Sequence, residues 1–315
     1  MRGALAFAAV MVAGLFVPAA LPGGYYLGLL IQGMVLGVAA VGIGFLMHQC
    51  GLVMFGVAAF IGLPGYLLGI ASAAGLNVHA AVLLALAGSA AVAALVGALV
   101  VRARPLPFAM LTLAFAQMLK SASQLRALRD LTGGEDGLTM SFNGSFLGLS
   151  QSQLAKASAF WPLAWLSLCG VLLLLWAVGR SRFGQVLRAT QANEERMRFS
   201  GFDTYRPRLA AFVLASTVVS LAGVLMALNA AFVSPEALDF ATGGHALVAM
   251  LVGGAGTVGG PLLGALLYTW GQDAFGATGY LELLTGIAVV VMIAAFPKGA
   301  MGFVLQVWRR MRPGA

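Results

Sequence analysis

Apolar residues in this chain fall in long blocks, with polar residues gathered between them. The blocks lie at 4–20, 26–46, 55–74, 79–101, 107–123, 160–179, 208–229, 242–255, 261–276 and 281–296. They are rich in Ala, Leu, Val and Gly and do not alternate as barrel strands do. A span of roughly 20 residues crosses the hydrocarbon layer as a helix. Hydrocarbon satisfies no backbone polar group, so spans are helices or closed barrels, and the missing alternation leaves helices. The pattern predicts an all-α polytopic transmembrane bundle of about 8–10 spans, forming one domain over residues 1–315. His48-Gln49-Cys50-Gly51 reads as a bend before the third block. The eighth and ninth blocks are short, and the glycine-dense stretch from Gly253 to Pro261 between them breaks helix continuity. They read either as two short spans or as a re-entrant hairpin. Residues 124–158, with Arg126, Arg129, Asp130, Glu135 and Asp136 among Ser, Gly and Asn, read as an external loop carrying one short surface helix.

Composition agrees with the pattern: 61% of the 315 residues are hydrophobic and 9% charged, against about 25% charged in a soluble domain. A net charge of +8 raises nucleic acid as a partner, but its placement has a simpler cause. With the amino terminus cytoplasmic, 14 of the 18 Lys and Arg fall on the inner side, at Arg2, Arg102, Arg104, the 180–208 segment and the 297–315 tail. Lys120, Arg126, Arg129 and Lys156 fall outside. Ten spans return the carboxy terminus to the inner side, and a re-entrant hairpin entering from outside keeps that parity with eight crossings. The first block and Val17-Pro18-Ala19 also loosely match a cleavable signal peptide; an uncleaved helix keeps the charge parity. Cys50 and Cys169 form no disulfide framework, and His48, His79 and His245 are too scattered for a metal site. No nucleic-acid site and no metal are expected.

The inner stretch from Arg180 to Arg208 carries the most pattern. Gly184 and Gly201 bracket a segment with helical character containing Val186, Leu187, Ala189, Met197 and Phe199, to which Asn193, Glu194, Glu195, Arg196 and Arg198 give a charged face. Such a helix lies on a membrane surface or enters a groove on a partner; the plainer alternative is a basic loop that only fixes topology.

This segment resembles the cytoplasmic coupling loop of branched-chain amino acid ABC-importer permeases. The matching residues are Phe183-Gly184, Leu187-Arg188-Ala189, Asn193-Glu194 and Gly201-Phe202, in order. Three further stretches resemble that family: Gly51, Gly56, Ala58-Ala59-Phe60, Gly62 and Gly65-Tyr66; Thr112 to Phe115 with Leu131-Thr132-Gly133-Gly134 and Gly137-Leu138; and Phe232 to Glu236 with Gly253-Gly254, Gly256-Thr257 and Gly260-Pro261. The Thr-Gly-Gly element fits the M-type subunit better than its H-type partner. Together they cover roughly residues 40–300.

The resemblance implies a multi-pass protein of the bacterial inner membrane with both termini cytoplasmic. It implies a second, H-type permease subunit, two cytoplasmic ATPases that bind the ATP, and an external substrate-binding protein. This chain would hold no cofactor and no catalytic residue. Coupling to the ATPase would fall to Gly184, Arg188, Asn193, Glu194 and Gly201. The pathway or its gate would involve Gly51, Met54, Gly56, Gly254, Gly256, Gly260 and Pro261, and docking of the binding protein Glu135, Asp136, Glu236 and Asp239. Close helix packing is the competing role for glycines in spans.

Two departures stand out. Leu52-Val53-Met54 replaces the family's polar Gln-Leu-Ser, and Arg196-Met197-Arg198 stands where small, apolar or acidic residues are usual. The first leaves the substrate open; the second points to a dedicated ATPase surface. Asp273, Glu282 and Lys120 lie near span ends, which argues against the mid-span charges of an ion-coupled carrier. Gln32, His48, Gln117, Asn229 and His245 are polar positions in or near spans. They contact either a weakly polar substrate or neighbouring helices. A stand-alone secondary transporter or channel is the alternative reading. An embedded enzyme lacks paired carboxylates or an activated nucleophile.

Overall fold

A computed structural model describes residues 24–276 apart from residue 143, with scattered positions between 11 and 20, 286 and 290, and 299 and 302. Most of the blocks at 4–20 and 281–296, and of the tail, lies outside the described residues. The other eight blocks are helices, each ending within a few residues of its apolar run. They are α1 (Gly24–Cys50), α2 (Val57–Ala73), α3 (Val78–Val100), α4 (Pro105–Ser123) and α5 (Ala157–Arg180). After the basic segment come α8 (Tyr205–Ala230), α9 (Phe240–Gly253) and α10 (Gly260–Gly276). α1, α3, α5 and α8 are long and apolar enough to cross a membrane.

Burial sorts them into layers. The apolar windows of α1 and α8 are 72% and 61% buried, those of α3 and α5 28% and 33%. α1 packs against α5, α8, α9 and α10, while α8 packs against α1, α2 and α3. Phe212 of α8 sits edge-on to Phe60 of α2 and Phe108 of α4. On the outer helices, Leu83, Leu95 and Leu99 of α3 and Leu106 and Met110 of α4 stay exposed, as suits a lipid-facing side.

Glycine seams set the inner packing. A Cβ at Gly223 of α8 would land on the Ile61 carbonyl oxygen of α2, and one at Gly264 of α10 on the Ala249 oxygen of α9. Small residues let membrane helices touch main chain to main chain. Gly37, Gly42, Gly44, Gly62, Gly65 and Gly69 also face side chains of neighbouring elements, which is the packing role.

α9 and α10 form a hairpin. α10 runs antiparallel to α1, with Leu266 against Gly33, Leu262 against Gly37 and Pro261 against Gly44. Tyr25 of α1 donates a hydrogen bond to Asp273 of α10. The turn at 254–259 reaches the level of His48 and Gln49, where Ala255, Thr257 and Val258 share a cleft with them. α10, 17 residues long, therefore follows α1 to its far end over about 25 Å. The legs, 14 and 17 residues long, thus bring the turn beside the last turn of α1.

The 124–158 loop differs from expectation. In place of one surface helix it holds single turns at Arg129–Thr132 and Gln151–Leu154 and a strand, β1 (Leu138–Thr139). β1 pairs antiparallel with β2 (Phe232–Val233), Leu138 opposite Val233. Gly133 and Gly137 adopt φ of 72° and 74°, and a Cβ at Gly133 would strike the Gly137 carbonyl; these glycines fold the loop tightly enough to present β1.

The basic segment also departs from expectation. It forms two helices, α6 (Arg182–Ala192) and α7 (Glu194–Phe199), broken at Asn193. The bracketing residues differ as well: the Ser181 hydroxyl caps α6 by accepting from Gly184 N at 3.3 Å, so Gly184 lies inside the first turn. Gly201, at φ 80°, turns the chain after α7.

Candidate functional site

A chamber of about 350 Å³ opens between α1, α8, α9 and α10. Its polar side chains are Gln32, Asn229, Thr242, His245, Thr269 and Gln272, set among aliphatic ones such as Ile31, Leu36 and Met226, with no charged residue on its wall among the described residues. Gln32, Asn229 and His245, separate polar positions in the sequence, thus converge. Four of the six have hydrogen-bond partners: Asn229 Nδ2 donates to Leu154 O at 3.0 Å, Gln272 Nε2 to the Tyr268 hydroxyl at 3.0 Å, Thr269 Oγ1 to Ala265 O at 2.9 Å and Thr242 Oγ1 to Glu236 O at 2.7 Å. The His245 ring lies 5.6 Å from that of Tyr268. Thr242, Thr269 and Gln272 escaped the sequence reading because Thr is common in helices and Gln272 sits beside the more conspicuous Asp273.

Further along α1 the space closes. The cleft between Val41, Gly44, His48 and Gln49 on one side and Ala255, Thr257 and Pro261 on the other is about 10 Å³, roughly the room for one water. Pro261 thus lines the constriction. Gly254, at φ 92°, makes the turn, and a Cβ at Gly260 would strike the Gly254 carbonyl. No described residue lies within 4 Å of a Cβ at Gly256.

The early glycine stretch falls elsewhere. Met54 is fully buried, its sulfur 3.8 Å from the Ser216 hydroxyl. Gly56 seats the start of α2 on α4, where a Cβ would overlap the Thr112 carbonyl. Gly51 takes φ 67° after α1 and faces Gln191. None of the three lines the chamber.

At the end away from the basic segment, the acidic candidates share one surface with the β1–β2 ladder. Asp239, just before α9, accepts from Lys120 Nζ at 2.7 Å; that hydrogen bond holds its carboxyl below the ordinary value of 3.8. Asp136 lies 3.2 Å from Arg129. Glu135 and Glu236 are exposed and have no ion pair among the described residues.

At the basic end, Arg188 Nη1 donates to Gln49 Oε1 at 3.0 Å and to Gly179 O at 2.6 Å, tying α6 to the ends of α1 and α5. Glu194 turns inward: its Oε2 lies 2.7 Å from Arg208 Nη1, and its Oε1 accepts from the Thr204 hydroxyl at 3.3 Å. Arg198 Nε stands 3.9 Å from the same oxygen. Asn193 Oδ1 caps α7 through Arg196 N at 2.8 Å. Leu187 is fully buried, while Phe199 is 91% exposed and Phe202 53%. Arg188, Asn193 and Glu194 therefore act as fasteners, leaving an aromatic knob at the tip of α7.

Comparison with known proteins places these regions in a wider group. The family model "Branched-chain amino acid transport system / permease component" matches residues 25–296. The high-affinity branched-chain amino acid transport system permease protein LivM of Escherichia coli is 27% identical over 241 residues, 69% of this chain and 56% of its own length. LivH of Salmonella typhimurium is 24% identical over 166 residues, covering 51% of this chain and 54% of its own. The autoinducer 2 import system permease protein LsrC of Yersinia pestis is 32% identical over 114 residues, 34% and 32% of the two chains. The matches to LivM and LivH thus span about half of those relatives' lengths. No solved structure matches.

Proposed function

This chain belongs to the permease family of branched-chain amino acid transport systems, and on that premise we propose that it forms one half of the membrane pathway of an ATP-driven importer. The observation that carries this reading is the family match over residues 25–296, which contains both the chamber and the basic surface helices. The chain is a multi-pass inner-membrane protein, with the basic segments on the cytoplasmic side. Its partners are a second permease subunit, two cytoplasmic ATPases and an external substrate-binding protein; ATP binds to the ATPases, and this chain performs no hydrolysis. The longer match to LivM than to LivH supports the M-type position.

The substrate class follows from the chamber. A wall of neutral amides, hydroxyls and one imidazole around aliphatic side chains suits an uncharged or zwitterionic solute with an apolar side chain, such as a branched-chain amino acid. A solute of full net charge would meet no counter-charge there among the described residues and would be costly to desolvate. The chamber and the one-water cleft follow each other along α1, as in a pathway open on one side and shut at the other. The turn at 254–259, with Gly254 and Gly256, and the start of α10, with Gly260 and Pro261, form the gate.

The α6–α7 pair is the coupling element, with Phe199 and Phe202 seated in the ATPase groove. Gly184, Arg188, Asn193, Glu194 and Gly201 hold that pair in shape, so a push on α7 reaches α8 through Glu194–Arg208 and α1 through Arg188–Gln49. Glu135, Asp136, Glu236 and Asp239 face the binding protein. Reconstitution into proteoliposomes with both permeases, the ATPases and the binding protein should give uptake that needs ATP. Uptake by this chain alone, without ATP or partners, would instead establish a secondary transporter or channel.

A further inference from the structure

A second cavity, of about 320 Å³, opens at the basic end between the end of α3, α7 and the first turn of α8. Arg102, Arg198 and Arg208 line it, with Glu194, Thr204 and Tyr205. Three guanidinium groups therefore face one carboxylate, and that carboxylate is already divided between Arg208 and Arg198. The Arg208 side chain is only 9% exposed, and its Nε–H has no acceptor among the described residues. A buried guanidinium N–H without an acceptor is costly and calls for an anion. Arg102 lies over the Tyr205 ring at 5.1 Å, and the Tyr205 hydroxyl is fixed on Ala98 O at 3.1 Å. Among the described residues Arg102 has no carboxylate partner, so its charge is positioned but not neutralised.

The approach to this cavity is apolar. Leu95, Leu99 and Arg102 succeed one another at i+4 and i+3 spacing, hence on one face of α3 and its continuation. The two leucines are 70% and 79% exposed. An acyl chain laid along them would bring a headgroup phosphate to Arg102. We propose that this cavity binds a phosphate group, supplied by the headgroup of an anionic phospholipid of the cytoplasmic leaflet. Arginines bind phosphate oxygens through paired N–H donors, and basic pockets between helices on the cytoplasmic side favour anionic headgroups. The bound lipid would clamp α7 against α3 and α8, making the seating of the coupling element depend on the bilayer.

The test uses the full chain purified in detergent. Thermal unfolding and native mass spectrometry would follow additions of short-chain phosphatidylglycerol, phosphatidylcholine and inorganic phosphate. Phosphatidylglycerol should raise the unfolding temperature and remain bound. Phosphatidylcholine and inorganic phosphate should do neither at equal concentration. Arg102→Gln and Arg198→Gln should each weaken phosphatidylglycerol binding roughly fivefold. Should the pair together fail to fold, Arg102→Gln alone suffices, since among the described residues that side chain makes no hydrogen bond or ion pair and lies over the Tyr205 ring. Equal responses to phosphatidylcholine, or unchanged lipid binding by the Arg102→Gln protein, would overturn the site. A stronger response to inorganic phosphate would overturn the lipid source. Retention of lipid lost only when an ATPase subunit is added would support the site, whereas ATPase binding that itself requires Arg102, with no lipid retained, would replace the lipid by a protein partner.

Discussion

The α9–α10 hairpin and the α6–α7 pair are both two helices around a turn, yet different forces hold them. In the hairpin the helices meet backbone to backbone. A Cβ at Gly253 would strike the Gly260 carbonyl, and one at Gly264 the Ala249 carbonyl. In the surface pair, side chains do the holding: Asn193 caps, Arg188 reaches α1 and α5, and Glu194 reaches α8. Away from water, where apolar surface is equally at home in lipid, close main-chain approach is the available source of affinity. At the aqueous face, charged and amide groups take that role and can be adjusted one at a time. The hairpin should therefore break outright under small changes, and the surface pair by degrees.

Gly264→Leu should break the hairpin most severely. The added side chain meets the α9 backbone, and overpacking of about 3 kcal/mol or more is expected. Loss of the monodisperse folded fraction in detergent would register it. Gly271→Leu, where no described residue lies within 4 Å of a Cβ, should keep that fraction; equal damage by both would remove the distinction.

In the surface pair, Arg208→Gln should cost about 1–3 kcal/mol, because Arg208 is buried but Glu194 is 38% exposed and partly screened. The double variant with Glu194→Gln should lose less than the sum of the singles, as coupled groups do. A strictly additive cycle from chemical unfolding would show that the pair does not couple α7 to α8. Asn193→Ala should cost about 1 kcal/mol through the lost cap, visible as faster amide exchange confined to 194–199. Phe199→Asp should change stability by less than about 0.5 kcal/mol while abolishing co-purification of the ATPases. Retained co-purification would move the coupling contact away from the tip of α7.

The smallest effect concerns the hairpin's entry. The Asp239 carboxyl is held below 3.8 by Lys120, so the pair stabilises the fold above that pH and is lost as pH falls through the depressed value. Both groups are partly exposed, so about 0.5 kcal/mol is expected. Lys120→Ala should remove this acid dependence from amide exchange at the start of α9.

Most of the fold could be read from the chain because spans are written by hydropathy alone. The run at 261–276 differs from α10 by one residue, and that at 26–46 fell short of α1 by Gly24 and Tyr25 at one end and by Met47 to Cys50 at the other, where the polar His48 and Gln49, expected to lie in a bend, continue the helix. The break at Asn193 was missed although its signal was present: an Asn followed by two Glu in a first turn is a helix start. The chamber and the arginine cavity were hidden for another reason. Each gathers residues from helices far apart in sequence, such as Gln32 with Gln272, or Arg102 with Arg208. Hydropathy says that a helix spans but not which face meets which. The β1–β2 ladder was hidden likewise: two residues on each side leave no alternation to read, and only the glycines of Thr132-Gly133-Gly134 hinted at a tight fold.

The central position of α1 bears on the order in which the protein is made. α1 leaves the ribosome early, while α8 and α10, against which it packs, begin at residues 205 and 260. Until those helices emerge its inner face must rest against lipid or transient neighbours. A helix carrying a buried charge on that face would be stranded there; α1 has no Asp, Glu, Lys or Arg between Gly24 and Cys50, and Gly, Ala and Val tolerate the wait. The same small, uncharged side chains that later admit Leu262, Leu266 and Val218 thus let the nascent helix remain in the bilayer until its partners arrive.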